Sequence, residues 1–390
     1  MKVILKPKKE KPIIQNHPWI FSGAIGKIEG NPQDGDIVDV FDSSGNFLAK
    51  GYINQKSQIT VRILTKDKEE INESFFKRRI AQAIKYRQEI LNLKGYDAYR
   101  LIHDSADMLP GFIVDKYADF IVVQILTFGI EKRRDVFINI INELLNPKGV
   151  YERSDSPVRK KEGLTPISGL IFGQEPPDLL NIRQKNVNIL VDIKSGQKTG
   201  TFLDQRENLE IISAFSGGRD VLDCFCHTGS FSIYSAYGGA KSVLGVDISG
   251  KAIEMARTNT ELNRVADISQ FQQEDIFRFL DNCDRKFDLI ILDPPGFAKN
   301  DSAVAKASRA YKHINMKAMR MLNPDGILAT FSCSHHIDPP LFRKIVFSAS
   351  VDAGCNIQIM RTLHASPDHP INIAYPEGEY LKGLLCHKIS

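Results

Sequence analysis

The chain has 390 residues, of which 42% are hydrophobic and 25% charged, with a formal net charge of +4. Such a length implies two or three domains, and the composition is that of a soluble globular protein. No apolar run nears the ~20 residues of a membrane span, and "MKVILKPKKE" lacks an apolar signal core, so no membrane partner and a cytoplasmic location are expected; the mildly basic balance permits nucleic acid as a partner without demanding it.

Residues 1–72 read as a small all-β domain. "SGAIGKIEG", "DIVDVFDSSGNFLAKGYIN" and "QITVRIL" are short β-rich runs separated by Gly, Asn and Asp turn signals, and "DSSGNFL" predicts a hairpin. A small barrel closes such strands naturally. Residues 73–190 read as a mixed α+β domain. "KDKEEINESFFKRRIAQAIKYRQEIL" carries Phe76, Ile80, Ile84 and Ile90 on one helical stripe. Strands follow around a turn at Leu109-Pro110-Gly111, then in "DFIVVQIL", "GVYERSD" and "VNILVDI", with a second helix in "KRRDVFINIINELLN".

Residues 191–390 change pattern. "RDVLDCFC", "SVLGVDIS", "DLIILDPP" and "ILATFSCS" are buried strand runs. Between them lie the helical stretches "GSFSIYSAYGG", "GKAIEMARTNTELN", "KASRAYKHINMKAMRMLN" and "PPLFRKIVFSASVDAG". This alternation predicts an α/β domain with a parallel, Rossmann-like sheet covered on both faces. Ligands of such sheets bind beyond the carboxyl ends of the strands, so those ends are where chemistry is sought.

Four acids stand at four successive strand ends: Asp223, Asp247, Asp275 and Asp293. Each alone could be a helix N-cap; all four together suggest a ligand. "DCFCHTGSFS" has one glycine, Gly229, and is not the G-x-G-x-x-G of a dinucleotide site. Carboxylates also repel phosphate. The array suits S-adenosylmethionine, whose ribose hydroxyls would meet Asp247, whose adenine amino group would meet Asp275, and whose ammonium and sulfonium are positive. Phe225, Thr228 and Gly229 in the first turn, with Ile248 and Ile276 beside the later acids, complete the expected cofactor set.

The segments "DVLDCFCHTGSFS", "LGVDIS", "QEDIF" and "DLIILDPPGFAK" resemble the cofactor motifs of class I S-adenosylmethionine-dependent methyltransferases. "HPWIFSGAI" (17–25) is similar to the opening of PUA-type RNA-binding domains. "MLPGFIVDKYADFIVVQ", "GVYERSDSPVRKKEGL" and "GQKTGTFLDQREN" (196–208) resemble the PUA-containing methyltransferases that form 5-methylcytosine in large-subunit ribosomal RNA. That resemblance spans nearly the whole chain. It implies a PUA-like barrel, a central α+β domain and a Rossmann-like methyltransferase domain. It also implies that Phe202, Gln205 and Arg206 line the cofactor or RNA side of the cleft.

Cysteine chemistry decides which atom would be methylated. The six cysteines (Cys224, Cys226, Cys283, Cys333, Cys355 and Cys386) are spread over the second half of the chain, as reduced thiols would be. None shows zinc-ligand spacing, and adjacent His335 and His336 diverge on a strand, so no metal is expected. Cys333 ends the fifth strand in an "SCS" setting, as the second cysteine motif of that family does. A thiolate there could add to cytosine C6 and activate C5, with Asp293 as the acid at N3. His335 or His336 could instead position RNA or lower the Cys333 pKa. Cys224 and Cys226 sit at the cofactor turn and are read as packing.

Two alternatives differ in class. "DPPGF" approaches the DPPY motif of amino-nitrogen methyltransferases, although Gly296 intervenes before Phe297 and Cys333 would have no task. The other is a non-catalytic RNA-binding assembly factor. The candidate RNA contacts are the basic tail Lys2–Lys11 and the cluster Arg159–Lys161. Trp19 and Phe21 could stack on a base or serve as barrel core. A homodimer is allowed, but no motif encodes it.

Overall fold

The short β-rich runs at the N-terminus form a six-stranded sheet in the computed structural model, which describes residues 1–389. Its strand order is Trp19–Phe21, Ile59–Thr65, Phe47–Ile53, Ile37–Phe41, Lys2–Leu5, Ile25–Glu29. Alternation along Ile37–Phe41 turns Val38 and Val40 inward, where they join Val3, Leu5, Ile20, Ala49 and Val61 in one core. The expected hairpin is closed by Asp42, whose carboxylate accepts from the Ser44 and Asn46 amides at 2.9 and 2.8 Å.

The next sheet has five strands in the order Ile167–Gly173, Gly149–Ser154, Phe120–Ile125, Phe112–Tyr117, Ala98–His103. Helices Glu73–Lys85 and Arg134–Leu145 supply Phe75, Phe76, Ile80, Phe137 and Ile141 to its core. Asn72 caps the first helix by accepting from the Phe75 amide at 3.1 Å. Its turn at Leu109-Pro110-Gly111 needs glycine, because φ is +86° and a Cβ would lie 2.1 Å from Thr127 Oγ1.

Two sequence expectations are corrected in this region. A π-helical turn at Tyr86–Ile90 ends the first helix. Its extra residue per turn rotates the side chains, so Ile90 is 69% exposed and Arg87 is buried in its place. The Arg87 guanidinium pairs with Asp107 at 2.7 Å and donates to the Asp368 carbonyl at 2.8 Å. Arg159, expected to contact RNA, is also buried. It donates to the Ile125 and Thr165 carbonyls and pairs with Glu131, so it has no face for a phosphate. Its neighbours Lys160 and Lys161 are exposed.

Both sheets belong to one compact unit, comprising Met1–Arg183, Val191–Thr201 and Pro367–Gly378. A second unit comprises Gln184–Leu190, Phe202–Ser366 and the chain from Glu379 onward. Its main sheet has seven strands, β1 (Asp220–Cys224), β2 (Ser242–Asp247), β3 (Ser269–Gln273), β4 (Phe287–Leu292), β5 (Leu322–Ser332), β6 (Asn356–His364) and β7 (Lys382–Ile389). They lie in the order β3-β2-β1-β4-β5-β7-β6.

Strands β1 to β5 are mutually parallel, as expected, and their apolar runs bury Leu222, Val246, Ile290, Leu292 and Leu328. The sheet is not wholly parallel, however. Strand β7 runs antiparallel to both β5 and β6. The four expected helices are present at Ser230–Tyr237, Gly250–Leu262, Val304–Met321 and Pro339–Ala353. Among the described residues, no helix is long and apolar enough to cross a membrane.

Candidate active site

Strand order reverses between β1 and β4, which opens a crevice at their carboxyl ends. The turn after β1 is tightly coiled. Phe225, His227 and Gly229 all have left-handed backbone, with φ of +62°, +49° and +83°. Gly229 is required there, since a Cβ would lie 3.0 Å from the Ala256 Cβ and 3.4 Å from the Phe271 ring.

Asp247 holds this turn from the end of β2. One carboxylate oxygen accepts from the His227 amide and the other from the Ser249 amide, each at 2.9 Å. The Phe202 ring meets the His227 ring edge-on at 5.3 Å between centroids. Phe225 packs against Phe297, joining the β1 turn to the loop after β4. The Thr228 carbonyl accepts from Asn259 Nδ2.

The other expected cofactor residues are placed as follows. Asp275 is exposed and caps helix Ile276–Asn282 by accepting from the Arg278 amide at 3.0 Å. Ile276 is buried in the core, whereas Ile248 is 65% exposed. Gln205 and Arg206 are buried at the start of helix Arg206–Ser213, and Gln205 Oε1 accepts from Asn208 at 2.6 Å.

Asp223 sets the electrostatics. It is fully buried, and its Oδ2 accepts from the Ser232 hydroxyl at 2.7 Å. Its Oδ1 has no hydrogen-bond partner among the described residues. Burial, and then the nearby carboxylates of Asp293 and Asp247, push its pKa up to about 7. Two acids thus flank a buried, incompletely satisfied carboxylate, an arrangement that a cation would relieve. The thiols of Cys224 and Cys226 are pushed well above their ordinary value, chiefly by burial, which makes them poor nucleophiles.

The opposite wall holds Cys333, just beyond β5. It is half-buried, and its thiol approaches the Pro294 carbonyl oxygen at 3.8 Å. Pro294 follows Asp293, so Cys333 and Asp293 stand on adjoining strand ends. Behind them, the Ser334 hydroxyl accepts from the Ala298 amide at 3.2 Å. The Tyr311 hydroxyl lies 3.0 Å from that same Ser334 oxygen. The histidines point elsewhere: His336 bonds Asp301 at 2.7 Å, and the His335 ring packs on Tyr380.

Two contributors escaped the sequence reading. Tyr311 looks like one more apolar position of an amphipathic helix. Lys382 begins β7 and pairs with Ser332 in register. The residue is 3% exposed, and its ammonium donates to the Ser334 carbonyl at 2.7 Å. The available signal was a basic residue leading the apolar run "GLLC", which by itself does not reveal its partner strand.

Comparison with known proteins bears on this crevice. Residues 3–66 match a PUA-like domain, and residues 166–376 match an S-adenosylmethionine-dependent methyltransferase family. The chain is 45% identical to the ribosomal RNA large subunit methyltransferase I of Tolumonas auensis over 394 aligned residues, 99% of both chains. It is also 45% identical to the protein of that name from Aeromonas salmonicida, over 98% of both. A solved structure from Streptococcus mutans, described as a SAM-dependent methyltransferase, superposes with a TM-score of 0.85 at 20% identity, over 99% of this chain and all of that one. A chain solved with SAH superposes at 0.87, with 21% identity and the same coverage. These last two likenesses are of fold.

Proposed function

Because the chain belongs to the S-adenosylmethionine-dependent methyltransferases and carries a PUA-like domain at its N-terminus, we propose that it methylates C5 of a cytosine in large-subunit ribosomal RNA, in the cytoplasm, with Cys333 as nucleophile. The observation that carries this reading is the Cys333 thiol 3.8 Å from the Pro294 carbonyl, beside Asp293 and across the crevice from the β1 turn. Two further features favour it over methylation of a base nitrogen. A Cβ on Gly296 would lie 3.6 Å from the Cys333 sulfur, so the glycine keeps this turn beside the thiol free of a side chain. Phe297 is packed among Phe225, Phe277 and Tyr311, one residue beyond the position at which the DPPY motif carries its aromatic ring.

S-adenosylmethionine suits the residues present. Asp223 with its unpartnered Oδ1, Asp247 and the Gly229 turn would hold it, with Asp275 reaching the adenine and Phe202 covering the turn. When bound, it supplies an electrophilic methyl group. Binding a cation there would also lower the cost of ionising Asp223.

The chain's own residues do the rest. The Cys333 thiolate adds to cytosine C6, forming a C–S bond and moving the C5=C6 electron pair toward C5. Asp293 donates a proton at N3 during addition and takes it back later. Once C5 carries the methyl group, a base removes the C5 proton, the C–S bond breaks, and its electrons return to the thiolate. A paired cytosine must leave its stack to reach Cys333. The relatives' name supplies the ribosomal substrate.

Transfer of labelled methyl groups to large-subunit RNA tests this reading. Cys333→Ala is expected to bind S-adenosylmethionine normally yet lose transfer by at least ~10³-fold. Normal transfer by that variant would refute the thiol mechanism.

A further inference from the structure

Lys382 stands in register with Ser332 of β5 and His364 of β6, at the end of the sheet where Cys333 lies. A lysine that is 3% exposed is uncommon, because taking its ammonium from water is costly unless a partner compensates. Its ammonium donates to a neutral acceptor, the Ser334 carbonyl, one residue past Cys333.

The charged and titratable groups around it come from several elements. The loop after β5 brings Cys333, His335 and Asp338. The segment before β7 brings Glu379, and β6 brings His364, whose ring lies 3.6 Å from Glu379. Helix Val304–Met321 brings Tyr311, whose hydroxyl lies 3.0 Å from that of Ser334. Burial pushes Lys382 down to about 8, while Cys333 above all, then Glu379 and Asp338, favour its charged form. Burial, Lys382 and His336 lower the pKa of His335, which favours the neutral imidazole.

We propose that Lys382 is the positioning residue for Cys333: its charge holds the sulfur as a thiolate, and its hydrogen bond to the Ser334 carbonyl fixes the strand end that carries it. The proposal rests on reading Cys333 as the nucleophile. The thiol proton goes to solvent, since Lys382 already carries its own. The same cation favours thiolate departure when the C–S bond breaks. A neutral amine could make the hydrogen bond equally well, so the charge is the distinguishing element.

The test is alkylation of Cys333 by iodoacetamide in the full chain, without RNA, followed from pH 5.5 to 9.5 and assigned by peptide mass. In the parent protein, half-maximal reactivity is expected below the ordinary thiol value of about 8.5. Lys382→Met and Lys382→Gln are expected to raise that midpoint by about one pH unit and to slow alkylation at pH 7 about tenfold. Lys382→Arg should stay within about threefold of the parent.

Midpoints indifferent to residue 382 would overturn the proposal. If the neutral variants do not fold, a parent midpoint at or above about 8.5 overturns it by itself. An alkylation profile that depends on Lys382, combined with normal methyl transfer by Cys333→Ala, would overturn the nucleophile assignment instead.

Discussion

The Tyr311 hydroxyl lies 3.0 Å from the Ser334 hydroxyl, whose oxygen also accepts from the Ala298 amide at 3.2 Å. One phenol on a helix thus joins the strand end carrying Cys333 to the loop carrying Asp293 and Pro294. Tyr311→Phe removes the link but keeps the ring packed on Phe297 and Phe342. It should cost about 1 kcal/mol of stability and lower kcat about tenfold, with little change in the affinity for S-adenosylmethionine. Steady-state kinetics beside a thermal melt would check this; an unchanged kcat would mean that the two loops hold their spacing without Tyr311.

Gly229→Ala places a side chain on backbone at φ +83° and 3.0 Å from the Ala256 Cβ. Strain and overlap together should cost about 2–3 kcal/mol, visible as a lower urea midpoint. The turn must also open to admit the methyl group, so calorimetry should show at least a tenfold weaker affinity for S-adenosylmethionine. Parent-like affinity would separate the turn from cofactor binding.

Asp223 has an ordinary value of 3.8 when solvated and about 7 in the fold. Between those values the folded state holds more protons than the unfolded one. Stability therefore falls as pH rises from about 4 to 7, and the loss is complete above 7. Asp223→Asn removes this penalty. In the cofactor-free protein the variant should melt higher than the parent at pH 8, with the gap closing toward pH 4. It should also bind S-adenosylmethionine more weakly, since the counter-charge is gone. A variant that melts lower at pH 8 would contradict the electrostatic account.

Arg87 is fully buried, with its charge met by Asp107 and by the Asp368 carbonyl. Replacing it with Met leaves Asp107 without its cation. A loss of about 3 kcal/mol is expected in urea unfolding. Arg87→Met, Asp107→Asn together should recover part of that loss, and a double variant no better than the single one would show that Asp107 is not the liability.

Much of this architecture was legible in the residues. Apolar runs followed by helical periodicity marked β1, β2, β4 and β5, because buried parallel strands leave unbroken Val, Ile and Leu stretches. The acids at the strand ends have structural tasks of their own: Asp275 is an N-cap and Asp247 pins two amides.

What stayed hidden depended on contacts distant in sequence. Nothing local tells that Tyr86–Ile90 widens into a π turn and exchanges Ile90 for Arg87. Arg159 lies in a basic run yet is drawn inward by Glu131 and two carbonyls that periodicity does not display. Lys382 gained its place only when β7 paired antiparallel with β5, and Tyr311 only when its helix met the end of that strand.

The proposed mechanism turns on a covalent bond between Cys333 and cytosine C6. It is tested most directly with large-subunit RNA in which the target cytosine is replaced by 5-fluorocytosine, incubated with the enzyme and S-adenosylmethionine. Fluorine blocks the final proton removal, so the C–S bond cannot break. A denaturation-resistant protein–RNA adduct is expected, mapping to the Cys333 peptide and absent from Cys333→Ala. Full methylation of ordinary RNA with no adduct on the fluorinated substrate would contradict it.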